Sequence, residues 1–485
     1  MVLFLPPVPL SSVAASVGAP ILGDPATAVR DAGFDARSVA PGSLFFCIPG
    51  DRVDGHAFAA QARDRGAVAL VVERRLEVDL PQVLVPSVRA AMGPMSSVVF
   101  GAPAASMRTV GITGTNGKTT ISYILEAIFR GAGLVPGVIG TTGARIAGEP
   151  TPLAHTTPEA PDLNRLLARM RDAGVGALAM EVSSHALAMG RVDGVLFDVA
   201  LFTNLSLDHL DFHGTMEEYY AAKASLFTPE HAAWGVINVD DPWGRRLRSD
   251  STIPTVGYAL QETAEHRAAD VVADREGVAF TIEGSRVRSP LRGEFNASNC
   301  LAAIVAAGEL GIERDVAVRA VAAIGDVPGR METLEAGQEF LVVVDYAHTP
   351  DSIRSVLVAA RALTGGRVIV VFGCGGDRDR DKRPQMGRAA TSSADLTIVT
   401  TDNPRSEDPA AIIAEILPGA EAGGGAFRVE PDRRRAIEVA VGQARPGDVV
   451  VIAGRGHETV QERADGSIEF DDRVVALEAL SEVAR

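Results

Sequence analysis

One stretch constrains this chain more than any other: Arg108-Thr109-Val110-Gly111-Ile112-Thr113-Gly114-Thr115-Asn116-Gly117-Lys118-Thr119-Thr120. Residues 109–113 form a short β-branched run that reads as a buried strand. Beyond the loop, Ile121, Leu125 and Ile128 recur at helical spacing, so a helix follows. Strand, glycine turn, Lys-Thr and helix together make a triphosphate holder. Glycine lets backbone N–H groups approach the phosphates, and the helix N-terminus adds its partial positive charge. Lys118 is expected on the β- and γ-phosphates, and the Thr119 hydroxyl on Mg²⁺. The spelling departs from G-x-x-x-x-G-K-[ST], because Ile112 stands where the first glycine belongs. A chance Gly-Lys-Thr in a surface loop is the alternative, and the flanking strand and helix weigh against it.

The chain has 485 residues, a length that predicts about three domains. Strand-like and helix-like segments alternate along it, so the expected fold class is α/β with parallel sheets. We divide it into a small N-terminal α/β domain at 1–107, a central ATP-binding domain at 108–330 and a C-terminal Rossmann-like domain at 331–485. The formal net charge of −16 argues against nonspecific binding to nucleic acid or an anionic membrane, while leaving room for a local basic pocket. Cys47, Cys300 and Cys374 are scattered without metal-ligand spacing and fit a reducing cytosol. The apolar opening MVLFLPPVPLSS lacks a basic flank and is interrupted by Pro6, Pro7 and Pro9, so no signal peptide is expected. No apolar run reaches the roughly 18 residues of a membrane span.

In the first domain, residues 43–48, 67–72 and 82–85 read as strands and 55–65 as a helix. Asp35, Arg37, Asp54, Gly55 and His56 fall in turns, where composition alone makes them surface polar residues. Residues 91–108, with Gly93, Pro94, Gly101 and Pro103, read as a helix end and linker.

In the central domain, Thr157 is placed to cap a helix that has Pro158 at its first position. The alternative is that His155-Thr156-Thr157 binds a substrate anion at that helix start. Glu181 ends a strand begun at 177, where a Mg²⁺ ligand belongs. Residues 195–202 form another strand, followed by the polar run from Thr203 through His209 to Gly214. Three polar loops therefore crowd one sheet edge, the edge at which open α/β sheets bind ligands. Residues 216–227 read as a helix carrying Lys223, which by itself reads as a solvated lysine. Residues 236–241 read as a further strand. Asn296 and Asn299 open an alanine-rich helix and by themselves read as caps.

Residues 327–332 read as a hinge. Beyond it, strands at 341–344, 367–372, 396–400 and 448–452 each run into a polar, glycine-rich turn, so the four turns should form one rim. A rim offering Arg, Asp, Asn, His and Glu suits a zwitterion such as an amino acid. Its Gly373-Cys374-Gly375-Gly376-Asp377 turn is not a dinucleotide fingerprint.

Gly114-Thr115-Asn116-Gly117-Lys118-Thr119-Thr120 resembles the phosphate loop of the Mur ligases and folylpolyglutamate synthetases, which activate a carboxylate with ATP and join it to an amine. Over residues 33–475 the chain looks like the Mur ligases that add the third residue of the cell-wall precursor, joining a diamino acid to UDP-N-acetylmuramoyl-L-alanyl-D-glutamate. The resemblance implies ATP held by the loop residues, Mg²⁺ as cofactor with Thr119, Glu181 and His209 as ligands, and catalytic roles for Lys118, Glu181, His209 and Lys223. Lys223, in Lys223-Ala224-Ser225-Leu226-Phe227, matches the family's N6-carboxylated lysine, whose carbamate is an anionic metal ligand. Asn296 and Asn299 match an adenine-side motif, and Arg330, Asp345 and His348 match nucleotide-facing positions. Thr156, Thr157, Ser184 and Arg191, with Arg37, Ser38 and His56 of the first domain, match contacts to the UDP-muramyl-dipeptide. Arg378, Asp402, Asn403, Arg405, Gly454 and Glu458 match positions that hold the amino acid. The Arg form of Asp402-Asn403-Pro404-Arg405 is similar to that of members taking meso-diaminopimelate, whose far carboxylate a guanidinium can clamp bidentately.

Two departures stand out. Asp35-Ala36-Arg37 replaces the usual Asp-Ser-Arg, moving a hydroxyl contact to Ser38 or losing it. Arg455 replaces the lysine of Gly-Lys-Gly-His-Glu, keeping the charge with another geometry. The implied enzyme is a cytoplasmic monomer that acts on small molecules only. Its rivals are a lysine- or ornithine-adding ligase, folylpolyglutamate synthetase, and a regulatory protein that hydrolyses ATP without ligation.

Overall fold

The computed structural model describes residues 6–50 and 53–483; the first residues of the apolar opening, 1–5, lie outside them. The first sheet has five strands, β1 (Ile21–Leu22), β2 (Asp31–Gly33), β3 (Ser43–Phe46), β4 (Ala69–Val72) and β5 (Gln82–Leu84), in the order β1-β5-β4-β3-β2. Only β1 pairs antiparallel. Helix α1 (Val88–Val99) follows and does not end at Gly93-Pro94, contrary to the sequence reading. Pro94 forfeits one helical hydrogen bond. The helix persists because Val88, Ala91, Met92, Met95 and Val99 are buried along it. Gly93 is there for contact: a Cβ would sit 2.2 Å from the Asp193 carbonyl of the next domain.

The central sheet is built from β6 (Arg108–Thr113), β7 (Pro136–Gly140), β8 (Gly143–Ile146), β9 (Glu149–Thr151), β10 (Ala177–Glu181), β11 (Phe197–Phe202), β12 (Ala232–Asn238), β13 (Thr255–Ala259) and β14 (His266–Arg267). Their order is β9-β8-β7-β10-β6-β11-β12-β13-β14, parallel from β7 to β14. The inner strands are apolar on both faces because helices cover both, as a parallel sheet requires. Helix α2 (Lys118–Gly131) sends Ile121, Leu125 and Ile128 into that core, as its spacing predicts. Helix α3 (Ala160–Asp172) begins later than expected: Glu159 is its N-cap and Pro161 lies in its first turn. Thr157 therefore caps no helix; its hydroxyl donates to the Glu181 carbonyl at 2.9 Å.

Helix α4 (Met216–Ala224) tightens into a 3₁₀ turn at Ser225–Phe227. A three-stranded antiparallel sheet, β15 (Ala269–Asp274), β16 (Gly277–Ile282) and β17 (Ser285–Ser289), leads into α5 (Phe295–Glu309). The chain then turns through a bridge between Val327 and Arg330, with Met331 at φ 48°.

The last sheet runs β18-β19-β23-β20-β21-β22. Its strands are β18 (Glu332–Leu334), β19 (Leu341–Asp345), β20 (Val368–Phe372), β21 (Leu396–Val399), β22 (Phe427–Val429) and β23 (Val449–Ala453), all parallel except β18. Helices α6 (Pro350–Ala362), α7 (Lys382–Ser393), α8 (Pro409–Gly423) and α9 (Arg433–Gln443) cover it. The hairpin β24 (Val460–Arg463) and β25 (Gly466–Glu469) precedes α10 (Asp472–Val483). No helix among the described residues is long and apolar enough to cross a membrane.

Candidate active site

Register brings the loops of the central sheet together. Ile112 of β6 lies opposite Glu181 of β10, and Thr113 lies opposite Phe202 of β11. The loops that follow these strands therefore share one edge, which faces the ends of β19, β20, β21 and β23. Between the two edges lies a cavity of about 560 Å³ lined from both domains.

The phosphate loop is shaped by close approach. Gly114 has φ 140°, and a Cβ there would meet Thr203 Oγ1 at 1.9 Å; Gly117 has φ 90°, and its Cβ would meet Asn299 Oδ1 at 2.6 Å. Asn204 pins the loop by accepting from the Asn116 N–H at 2.9 Å, and Thr203 donates to the Asn116 carbonyl at 2.6 Å. Helix α2 starts at Lys118 with no side chain capping it, so its first N–H groups are left for an anion.

Lys118 curls back over the loop, donating to the carbonyls of Gly114 (2.9 Å) and Thr115 (2.8 Å). Burial pushes its pKa down. Lys223, on α4, is fully buried and donates to the same Gly114 carbonyl at 2.8 Å. The solvated-lysine reading of residue 223 is thereby excluded. Burial, and then the nearby Lys118 charge, drive its amine well toward the neutral form.

Glu181 is buried at the end of β10, where Thr141 donates to it from both its backbone N–H and its hydroxyl, each at 3.0 Å. His209 sits in the left-handed region at φ 57°, 3.3 Å from Asp208, with burial lowering its pKa to about 3. Asp208 faces His348 (3.9 Å) and Lys382 (3.7 Å) across the domain boundary. Burial works to raise the Asp208 pKa, but the neighbouring His209, His348 and Lys382 outweigh it and hold the carboxyl at about 2. Thr119, Glu181 and His209 all line the cavity. Among the described residues no three acid, imidazole or thiol groups gather closely enough to hold a metal ion by themselves.

From the hinge, Arg330 donates to Thr119 Oγ1 at 3.1 Å and stacks on Tyr346 at 4.4 Å. Asp345 accepts from the backbone N–H groups of Met331 and Ala347, each at 2.8 Å, and so fastens the hinge to β19. Asn299 lines the cavity. Asn296 lies behind it, donating to the Arg292 carbonyl and accepting from Asn299.

Arg378, Asp402, Asn403, Arg405, Gly454 and Glu458 form the opposite wall. Asn403 donates to Glu458 at 2.7 Å. Burial, and the Asp402 carboxylate nearby, raise the Glu458 pKa. Arg455 is not on this wall. Its guanidinium is fully buried behind the rim, donating from Nη2 to the Val460 and Phe470 carbonyls at 2.8 Å.

Of the positions expected to meet the UDP-substrate, Thr156 lines the cavity, 3.3 Å from the Thr141 hydroxyl. Thr157, Ser184 and Arg191 stand beside it: Ser184 bonds His213 at 2.9 Å, and Arg191 donates to the Thr157 carbonyl and pairs with Glu159. Ser38 lines a second cavity of about 410 Å³, at the seam marked by Asp31 and Arg165. Arg37 is exposed and paired with Asp35. His56 is buried with both ring nitrogens engaged, Nδ1 with Asp54 at 2.6 Å and Nε2 accepting from the Glu73 N–H at 3.0 Å, so its ring offers a ligand nothing.

Sequence reasoning did not assign roles to Thr141, Asn204, Asp208 or Lys382. Asn204 and Asp208 lie in the polar run after β11, where crowding at the sheet edge was the available signal. Thr141 and Lys382 carried none.

Comparisons with known proteins cover the same three units. Family models match at residues 29–99 (Mur ligase family, catalytic domain), 112–307 (Mur ligase middle domain) and 329–456 (Mur ligase, glutamate ligase domain). UDP-N-acetylmuramoyl-L-alanyl-D-glutamate--2,6-diaminopimelate ligase of Geobacillus thermodenitrificans is 47% identical over 459 residues, covering 92% of this chain and 94% of its own. The Streptomyces avermitilis protein of that name is 44% identical, covering 98% of this chain and 96% of its own. A solved structure of a ligase with that name superposes with a TM-score of 0.72 at 35% identity, covering 99% of this chain and all of its own. Folylpolyglutamate synthase of Mycobacterium tuberculosis shares the fold, with a TM-score of 0.61 at 19% identity over 80% of this chain and 93% of its own.

Proposed function

The chain belongs to the Mur ligase family, and from that premise we propose that it joins meso-diaminopimelate to UDP-N-acetylmuramoyl-L-alanyl-D-glutamate at the expense of ATP, in peptidoglycan precursor synthesis. One observation carries this reading: a single cavity has a phosphate loop on one wall and the Asp402-Asn403-Arg405-Glu458 rim on the other. Relatives at 44–47% identity carry the name of that ligase. The rim argues against plain ATP hydrolysis, and Arg405 argues against lysine or ornithine, which lack the far carboxylate. The N-terminal unit, with a second cavity at its seam to the central domain, argues against folylpolyglutamate synthetase.

In the reaction, the D-glutamyl side carboxylate attacks the γ-phosphorus of ATP, giving an acyl phosphate and ADP. The diaminopimelate amine then attacks the acyl carbon; phosphate leaves, the amine gives up a proton and the amide forms. Such transfer depends on positioning and charge neutralisation more than on covalent help. Lys118 and the free N–H groups of α2 take the phosphates, and Asn299 flanks the adenine side. The Thr119 hydroxyl and the Glu181 carboxylate are hard oxygen donors suited to Mg²⁺, with His209 beside them. Mg²⁺ held by these residues would screen the phosphate charge. A carbamate on Lys223 would add an anionic donor beneath the loop. The C-terminal domain covers the acyl phosphate from water.

We set the domain boundaries at 107 and 330, supported by the change of sheet between β5 and β6 and between β17 and β18. Thr156, Thr157, Ser184, Arg191 and Ser38 are assigned to the UDP-substrate. The enzyme is assigned to the cytoplasm as a monomer; buried, free Cys47, Cys300 and Cys374 are consistent with a reducing compartment. Product mass tests the reading. Incubation with ATP, Mg²⁺, UDP-muramyl-dipeptide and diaminopimelate should yield the UDP-tripeptide, and ADP without that product would refute it.

A further inference from the structure

Arg405 does not stand alone at the rim. Its backbone has φ 52°, a conformation that costs a non-glycine residue free energy and persists only where the surroundings impose it. The surroundings here are the hairpin strand β24. The Arg405 N–H donates to the Glu462 carbonyl at 3.1 Å, and the Glu462 N–H donates to Asn403 Oδ1 at 3.0 Å. Buried Gln461 donates to the Asp402 carbonyl at 2.6 Å, so β24 grips the Asp402–Arg405 turn along its length.

The side chain is gripped as well. Glu462 Oε2 lies 2.7 Å from Arg405 Nε, and Arg405 Nη1 donates to the Gly376 carbonyl at 2.8 Å. A guanidinium is a rigid planar fork, so two fixed nitrogens fix the third. Nη2 makes no hydrogen bond to the described residues, and Arg405 lines the cavity. A carboxylate meeting the Nη1–Nη2 end would then find a fork already aimed, with no rotamer freedom left to lose.

We infer that Glu462 is the positioning residue for Arg405, and that its carboxylate sets the preference for an amino acid bearing a second carboxylate. The inference rests on the diaminopimelate reading above. It makes Glu462 an indirect determinant: its negative charge would repel the far carboxylate if the two met directly, so its contribution comes through the guanidinium it orients.

The test uses Glu462→Gln, Glu462→Ala and Glu462→Asp in the full-length enzyme. The backbone bonds of β24 use main-chain atoms that all three variants keep, and the Glu462 side chain is half exposed, so folding should survive; melting curves check this. Steady-state phosphate release is measured against diaminopimelate, ATP and UDP-muramyl-dipeptide, and the ratio of kcat/KM for diaminopimelate over L-lysine is determined. Positioning predicts a KM for diaminopimelate raised about 10-fold in Glu462→Ala and less in Glu462→Gln, with the other KM values and kcat within about twofold. The preference over lysine should narrow by about the same factor, and Glu462→Asp should recover part of it. A diaminopimelate KM that is unchanged, or that falls because a competing carboxylate has been removed, overturns the inference while leaving the ligase intact. Wild-type enzyme lacking diaminopimelate-dependent turnover would instead overturn the underlying reading, and the inference with it.

Discussion

Lys118 and Lys223 meet at one atom: both side-chain amines donate to the carbonyl oxygen of Gly114, at 2.9 and 2.8 Å. Two buried cations cannot share one acceptor cheaply, and Lys223 is the one driven furthest toward its neutral amine. A neutral amine is the form that adds to CO₂, so the site favours the carbamate this family resemblance implies. Replacing Lys223 with Ala or Arg should lower kcat by about 100-fold or more, since neither side chain can form a carbamate. ¹³C NMR under ¹³CO₂ should show a carbamate resonance that Lys223→Arg lacks. A fully active arginine variant would contradict the assignment.

Asp208 ties two domains together, facing Lys382 at 3.7 Å and His348 at 3.9 Å. Lys382 is itself buried, and removing its carboxylate leaves that charge without a counter-ion. Asp208→Asn should loosen the C-terminal domain over the cavity and raise the radius of gyration in small-angle scattering. Its kcat/KM for ATP should fall by about 10-fold or more. An unchanged radius together with unchanged turnover would show that the contact does not hold the domains.

Stability should depend most sharply on a pair behind the rim. Arg433 grips Asp472 through Nε at 2.8 Å and Nη2 at 2.6 Å, with both side chains almost wholly buried, and it also reaches the carbonyls of Thr401 and Ala453. Breaking such a pair strands a buried charge, so Asp472→Ala should cost about 3–5 kcal/mol in urea unfolding. A loss below about 1 kcal/mol would mean that water reaches the arginine.

The buried imidazoles should make the fold sensitive to acid. Burial lowers His209 to about 3 and His213 to about 4, from 6.5. Below 6.5 the unfolded chain takes up protons that the folded chain refuses, so stability present above 6.5 is lost as pH falls toward about 4. Asp208, lowered from 3.8 to about 2, adds its loss only below 3.8. Melting temperatures across pH 4–7 should fall on the acid side, less steeply in His213→Gln. A flat profile would contradict the burial of these rings.

The phosphate loop and the rim were legible because each strand's end is written in local sequence: apolar run, then polar turn. Packing between distant segments was not. Pro94 looks like a helix stop, yet α1 continues because its buried stripe outweighs one lost hydrogen bond. Thr157 looks like a cap, yet its hydroxyl goes to β10. Arg455 looks like a rim cation, yet it lies inside, because Val460 and Phe470 supply carbonyls no local pattern announces. Glu462 lies in a short, mostly polar hairpin strand, and only the fold sets it against Arg405.

Amine-dependent phosphate release tests the central claim most directly. Purified enzyme is given ATP, Mg²⁺ and UDP-muramyl-dipeptide, then meso-diaminopimelate, L-lysine or L-ornithine in turn. Diaminopimelate should stimulate release strongly, and the other amines little. Equal stimulation by lysine would contradict the role of Arg405, and release indifferent to every amine would contradict the ligase itself.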